Sequence, residues 1–283
     1  MKKRIAIIIG IMSIIGCGGG GNSQDDQEEE SSTAIIGTQE PIAIYNQAYQ
    51  ENFEEDKIEE IVDNAEDAYV LIDPFMDEIA EQITNLKEKN NQVGGYISAG
   101  TGEDWRDDFA EIEPYLTTKV WDAWEGEYYV SQTTTGIVDV MKKRIDKMAD
   151  WGIDWVEFDN MDWVDEETKE EYNLEVTQNQ ATKYINTLCD YTHEKGMKCM
   201  AKNSVKGFEE FDGVLYESYN NNKNWWDEEG TKLFLKQDKL VIINHYNEKD
   251  CDDAYEEFQN HYNTKSLSFI CEDRGLKKYK HYN

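Results

Sequence analysis

Among the short apolar runs that end in polar residues, the one with the most carboxylates is Trp155-Val156-Glu157-Phe158-Asp159-Asn160-Met161-Asp162. Glu157 and Asp159 are two residues apart, so on a strand they point to the same face. Two carboxylates so arranged repel, and the pair needs a cation, a shared proton or a substrate beside it. Lys202, at the end of a later apolar run, is the expected cation, and Glu217 brings a further carboxylate from another direction. Two carboxylates from separate strands converging on one cleft are the minimum for hydrolysing a glycosidic bond. Other short apolar runs also end in polar groups, among them Ile72-Asp73, Tyr96-Ile97-Ser98, Lys202-Asn203 and Asn244-His245-Tyr246. One polar strand end is ordinary, but six in succession describe a polar rim. Flat aromatic faces stack on sugar rings, and Trp105, in the loop Gly102-Glu103-Asp104-Trp105-Arg106, suits a cleft wall. Trp121, Trp124, Trp163, Tyr216, Tyr219, Trp225 and Trp226 are further candidates, although aromatics in a barrel are more often plain core.

The elements that must hold these groups alternate along the chain. Strand candidates cover residues 42–45, 69–72, 93–98, 128–130, 155–158, 198–201, 213–216, 240–244 and 267–270. Between them lie helix-like stretches at 77–89, 137–151, 178–195 and 250–262. In the second, Ile137, Val140, Met141, Ile145 and Met148 recur at helical spacing. Gly152 and Gly196 stand where helix C-terminal caps belong. Strands alternating with helices imply a parallel sheet with helical crossovers. At this length the expected fold is α/β, a single-domain (β/α)8 TIM-type barrel with its reactive groups at the C-terminal ends of the strands. Nine candidates exceed the eight such a barrel uses, so either 128–130 or the last lies outside it.

Composition narrows the partners. The 283 residues are 39% hydrophobic and 12% aromatic, enough for a packed core. Against 28 Lys and Arg stand 60 Asp and Glu, a net charge of −32. That balance repels a phosphate backbone, which argues against nucleic acid and suits a cationic partner. The chain begins with Lys2-Lys3-Arg4 and an apolar run too short to span a bilayer, then Ser13-Ile14-Ile15-Gly16-Cys17, which resembles a bacterial lipobox. The expectation is a lipoprotein signal at 1–16, lipidation of Cys17, a Gly-rich and acidic flexible tether at 17–40 and the barrel at 41–283. The protein would then be lipid-anchored to the cell envelope, at the outer membrane or cell surface. Cys189, Cys199, Cys251 and Cys271 lack metal-ligand spacing, so no zinc site is expected, and buried free thiols are the expected state.

Several motifs together resemble glycoside hydrolase family 114, the endo-α-1,4-polygalactosaminidases. Gly95-Tyr96-Ile97-Ser98-Ala99-Gly100 followed by Glu103-Asp104-Trp105-Arg106 is similar to one family motif. Asp154-Trp155-Val156-Glu157-Phe158-Asp159-Asn160-Met161-Asp162 is similar to a second, Lys202-Asn203 to a third and Tyr216-Glu217 to a fourth, in order over about residues 68–247. Asn244-His245-Tyr246 stands where the family usually carries Glu-Tyr. The resemblance implies a barrel that cleaves internal α-1,4-galactosaminidic bonds in galactosamine-rich exopolysaccharide, without a metal or other cofactor. It implies Asp159 and Glu217 as the catalytic pair. With Glu157 and Asp162 flanking it and Lys202 to keep one carboxylate charged, Asp159 is assigned as nucleophile and Glu217 as general acid/base. Substrate contacts would come from Asp73, Tyr96, Ser98, Asp104, Trp105, Arg106, Glu157, Asn160, Asp162, Lys202, Asn203 and Tyr246. The alternatives are a surface lipoprotein that binds an amino-sugar polymer without cutting it, and a hydrolase of another α-linked glycan.

Overall fold

In the computed structural model, which describes residues 35–49, 55–76, 78–218, 228–246, 250–272 and 279–282, successive strand residues alternate between two buried faces, and residues two apart share one. The strands are β1 (Ile44–Asn46), β2 (Tyr69–Ile72), β3 (Gln92–Ser98), β4 (Thr101–Glu103), β5 (Leu116–Val120), β6 (Glu127–Val130), β7 (Trp155–Asp159), β8 (Lys198–Lys202), β9 (Gly213–Ser218), β10 (Leu240–Tyr246), β11 (Leu267–Glu272) and β12 (Tyr279–Tyr282). The main sheet runs β1-β2-β3-β7-β8-β9-β10-β11-β12. Its first eight strands are parallel, and β12 returns antiparallel to β11. Side chains close the ring: Ile42 N–H donates to Ser268 Oγ at 3.1 Å, and Asn46 Nδ2 donates to Glu272 Oε2 at 3.3 Å. His281 and Tyr279 of β12 pack on Tyr45 of β1 over the same seam. The result is the expected (β/α)8 barrel.

Of the nine strand candidates, 128–130 is the one outside. It belongs to β6, which joins β4 and β5 in a small antiparallel sheet inserted after β3. The apolar run there covers a side layer, and periodicity alone does not say which layer a strand covers.

The helices are α1 (Glu55–Asn64), α2 (Ile83–Glu88), α3 (Phe109–Ile112), α4 (Thr135–Trp151), α5 (Glu166–Tyr172), α6 (Gln178–Glu194), α7 (Glu228–Lys236) and α8 (Cys251–Tyr262). α4 buries Ile137, Val140, Met141, Ile145 and Met148, the stripe its sequence spells out. It stops at Gly152, whose φ of 85° is left-handed and lets its N–H reach back to Met148 and Ala149. α6 starts on a capping box, Thr177 with Gln180. The stretch at 77–89 is shorter than expected as α-helix: a 3₁₀ turn at Ile79–Gln82 precedes α2.

The four cysteines are paired, correcting the expectation of free thiols. Cys189 of α6 joins Cys199 of β8, and Cys251 of α8 joins Cys271 of β11, with Cα–Cα distances of 5.7 and 5.8 Å. Each bond ties a helix to the strand that follows it, a proximity the fold creates and sequence spacing does not reveal. Residues 1–34, including Cys17 and the signal, lie outside the described residues. Ile36 and Thr38, at the end of the expected tether, bond to the barrel through Asn263, Thr264 and Asp238. Among the described residues no helix is long and apolar enough to cross a membrane.

The two buried faces divide the labour. Val70, Ile72, Val93, Val156, Phe158, Val214 and Ile243 face the helices. Ile44, Tyr69, Leu71, Trp155, Met200, Leu215, Leu240, Ile242 and Ile270 fill the inside of the ring. Continuing each inward column by two residues toward the strand's C-terminal end changes apolar into polar: Leu71 to Asp73, Trp155 to Glu157 and Asp159, Met200 to Lys202, Leu215 to Glu217, Ile242 to Asn244 and Tyr246, Ile270 to Glu272. The barrel is therefore plugged below and polar above.

Candidate active site

β7 carries Glu157 and Asp159 upward on one inward column, β8 carries Lys202 beside them, and β9 carries Glu217 beyond. Lys202 Nζ lies 3.5 Å from Glu157 Oε1, 3.2 Å from Asp159 Oδ1 and 3.4 Å from Glu217 Oε2. Adding its last two contacts bounds the separation of the Asp159 and Glu217 oxygens at about 6.6 Å, against about 5–5.5 Å for retaining and 6.5–9.5 Å for inverting pairs. Asp159 and Glu217 keep 21% and 20% of their side-chain surface open, whereas Glu157 and Lys202 are sealed at 0% and 3%. Asp159 and Glu217 are thus the carboxylates a ligand can reach. Glu157, expected to place the sugar, lies beneath them and acts on Lys202.

The charges follow from burial. Desolvation alone would lower the ammonium of Lys202, but Asp159, Glu217 and Glu157 overcome it and hold the group charged well beyond the ordinary lysine range. Glu157 is pushed from 4.5 to about 7 by burial, with Lys202 and a hydrogen bond from Tyr49 opposing the shift. Tyr49, in the loop after β1, donates to Glu157 Oε1, and its ring lies 3.9 Å from Lys202 Nζ. Nothing in the sequence marks Tyr49, because it sits outside any periodic element.

Two asparagines explain why Asp159-Asn160 and Lys202-Asn203 read as motifs. Both end a strand in the left-handed region, at φ 55° and 61°, which asparagine adopts at low cost. Asn203 Nδ2 donates to Glu217 Oε2 at 3.3 Å, and its Oδ1 accepts from the Glu217 N–H at 2.9 Å. Asn160 Nδ2 donates to Ser98 Oγ at 2.9 Å. Tyr246 donates its hydroxyl to Glu217 Oε1 at 2.9 Å and accepts from Asn244 Nδ2 at 3.1 Å. Beyond Asn244 lies Glu272, fully buried and raised by that burial, with Lys57, Asn244 and Asn46 as opposing partners. Glu272 was legible in principle: Ser268, Ile270 and Glu272 form one inward column.

The remaining expected contacts lie elsewhere on the rim. Arg106 holds Asp73 through two hydrogen bonds of 2.9 and 2.7 Å and Glu103 through two more of 2.8 and 2.7 Å. All three are buried, so Asp73 and Arg106 bind one another in a brace between β2 and the small sheet. Tyr96 and Ser98 face the site from β3, opposite Glu157 and Asp159 in register. Asp104 and Trp105 are exposed on the loop after β4, while Asp162, with open surface, still feels Asp159 and Lys202 and is raised by burial first. Trp163 and Tyr216 are core residues, and Tyr219, Trp225 and Trp226 lie outside the described residues.

A model of glycoside hydrolase family GH114 matches residues 44–283, from the first barrel strand through the last residue. The chain belongs to family GH114. As a family GH114 protein it is a glycoside hydrolase. Solved structures share the fold. Ega3 of Aspergillus fumigatus, in complex with galactosamine, superposes with a TM-score of 0.65 at 20% identity, over 91% of this chain and 100% of that one. The glycoside hydrolase domain of PelA from Pseudomonas aeruginosa gives 0.60 at 13% identity, over 84% and 96%. An α-galactosidase of Thermus thermophilus gives 0.51 at 10%, over 82% and 59%. No match is found among curated proteins.

Proposed function

We propose that this GH114 protein is an exported lipoprotein that cuts internal α-1,4-galactosaminidic bonds in galactosamine-rich polysaccharide, with Asp159 as nucleophile and Glu217 as general acid/base. The observation that carries the proposal is the Lys202 ammonium, within 3.2 and 3.4 Å of both accessible carboxylates. Asp159 attacks the anomeric carbon while Glu217 gives its proton to the departing oxygen. Asp159 becomes a neutral glycosyl ester as Glu217 becomes a carboxylate, so one negative charge passes from one side of Lys202 to the other. The ammonium is paired before and after the step, and the transfer needs little reorganisation. Glu217 then takes a proton from water as that water opens the ester. The upper bound of about 6.6 Å is compatible with this double displacement.

The amino-sugar reading draws on the excess of 60 acidic over 28 basic residues, which attracts a polymer bearing free amines, and on the galactosamine complex of the structurally similar Ega3. Export rests on the basic and apolar start ending at Cys17. The test is a glycan panel assayed by reducing-end release, with Asp159→Asn and Glu217→Gln as controls. Cleavage of partly de-N-acetylated galactosamine polymer, lost by several orders of magnitude in either variant, is the expected result. Preferential cleavage of a neutral α-glycan would overturn the substrate, and near-normal turnover of Glu217→Gln the assignment. Cys17→Ala should release the protein from the membrane fraction; unchanged fractionation would refute the anchor.

A further inference from the structure

Among the described residues only three large apolar side chains are exposed: Ile35, Trp105 and Trp124, the two indoles at 47% and 46%. Single exposed apolar residues are ordinary, but these two belong to adjoining loops. Trp105 follows β4 and Trp124 precedes β6, and the two strands pair antiparallel at Glu103 and Glu127. The Asp104 N–H donates to the Gly126 carbonyl at 2.9 Å, and the Trp105 ring lies 3.1 Å from where a side chain at residue 126 would begin.

The loops are held firmly. Trp121 N–H donates to the Glu127 carbonyl at 2.7 Å, Glu127 N–H to the Trp124 carbonyl at 3.2 Å, and Trp124 N–H to the Trp121 carbonyl at 3.1 Å. Trp121 packs on Tyr129, which packs on Tyr172, and the Tyr172 hydroxyl accepts from the Asp122 N–H. On the other side Arg106, next to Trp105, is locked to Asp73 at the tip of β2. The indoles therefore stand on a rigid base at the catalytic end of the barrel. Keeping two such faces in water forgoes the gain from burying them, which covering by a ligand would recover.

The chemistry around them names the ligand. Asp104, Asp107, Asp122 and Glu125 are exposed on the same two loops. Lys119, the nearby base, is engaged by Glu171 at 2.7 Å and lies 3.9 Å from Asp122. An apolar ring face bearing an ammonium satisfies both the indoles and the carboxylates, since a cation over tryptophan gains from the ring quadrupole. We infer that Trp105 and Trp124 form an outlying subsite for an amino-sugar unit of the polymer, beyond the cleavage point on the β2–β3 side. This rests on the amino-sugar reading above.

The test uses the full chain with Asp159→Asn as the uncut parent, and measures binding of de-N-acetylated α-1,4-galactosamine polymer by calorimetry. Trp105→Ala and Trp124→Ala should each weaken polymer binding about fivefold and the double variant about 25-fold. Tyrosine at either position should restore most of the loss. A trisaccharide, too short to leave the cleft, should bind parent and double variant alike. Polymer binding by the double variant within twofold of the parent, with wild-type cleavage intact, would overturn the subsite and leave the hydrolase reading standing. Weakened binding by the double variant, with no wild-type cleavage of the polymer, would do the reverse. A parent that does not bind the polymer overturns both.

Discussion

Glu127 offers a sharp test of how the rim is charged. It faces Glu103 directly across the β4–β6 pair, and both are buried. Arg106 binds Glu103 and Asp73, and Arg144 approaches Glu103 at 3.9 Å, while Glu127 accepts from the Thr101 hydroxyl at 2.7 Å. Burial first, and the facing Glu103 second, push Glu127 from 4.5 to about 8. A carboxyl raised on folding contributes stability in full below pH 4.5 and loses it as pH rises through about 8. The shift corresponds to a ceiling of about 5 kcal/mol at 1.36 kcal/mol per unit. Glu127→Gln keeps an oxygen for Thr101 and removes the titration. Urea midpoints read by circular dichroism from pH 4 to 9 should show the variant gaining on wild type steadily between pH 4.5 and 8, by several kcal/mol at pH 9. Glu157, raised to about 7, acts in the same direction in both proteins and cancels in the difference. Parallel curves for the two proteins, or a variant that loses ground as pH rises, would refute the reasoning.

Three further outcomes follow from the geometry. Lys202→Met leaves Glu157, Asp159 and Glu217 without their shared cation and should cost about 3–5 kcal/mol, on the order of 10 °C in Tm; a change under 2 °C would contradict the pairing. Tyr246→Phe removes the hydroxyl donated to Glu217 and should lower kcat about tenfold with KM nearly unchanged, as steady-state kinetics would show. Iodoacetamide in denaturant without reductant should leave Cys189, Cys199, Cys251 and Cys271 unmodified by mass spectrometry, and the Cys251→Ser/Cys271→Ser pair should lose about 3 kcal/mol for its 20-residue loop.

The barrel was legible because its strands are buried on both faces and its helices on one. Runs such as Trp155–Asp159 and the α4 stripe therefore announce their period. The acidic column of the candidate site was legible for the same reason: Glu157 and Asp159 share a parity, and Lys202 ends the neighbouring strand. Parity does not give depth. It put Glu157 on the same footing as Asp159, although the two differ by one layer, and that layer separates a sealed group from an accessible one. Nor does it give partners that arrive from loops. Tyr49 and the Arg106 brace depend on where chain segments land after folding, as do the two disulfides.

The polar clusters of the mouth share one arithmetic. Glu157, Asp159 and Glu217 surround Lys202, while Asp73, Glu103 and Glu127 gather around Arg106 with Arg144 at the edge. In each group carboxylates exceed cations, and in each the least compensated glutamate, Glu157 or Glu127, is raised to about 7 or about 8. Protonating that member is how a buried cluster avoids carrying the full repulsion. A cationic sugar entering beside such a cluster supplies part of the missing positive charge. Its arrival should therefore favour the ionised glutamates, and binding should release protons near neutral pH. Calorimetric binding of de-N-acetylated polymer to Asp159→Asn, repeated in buffers of different ionisation enthalpy at pH 7, reads that release directly. A binding enthalpy independent of the buffer would mean that the clusters serve the fold alone.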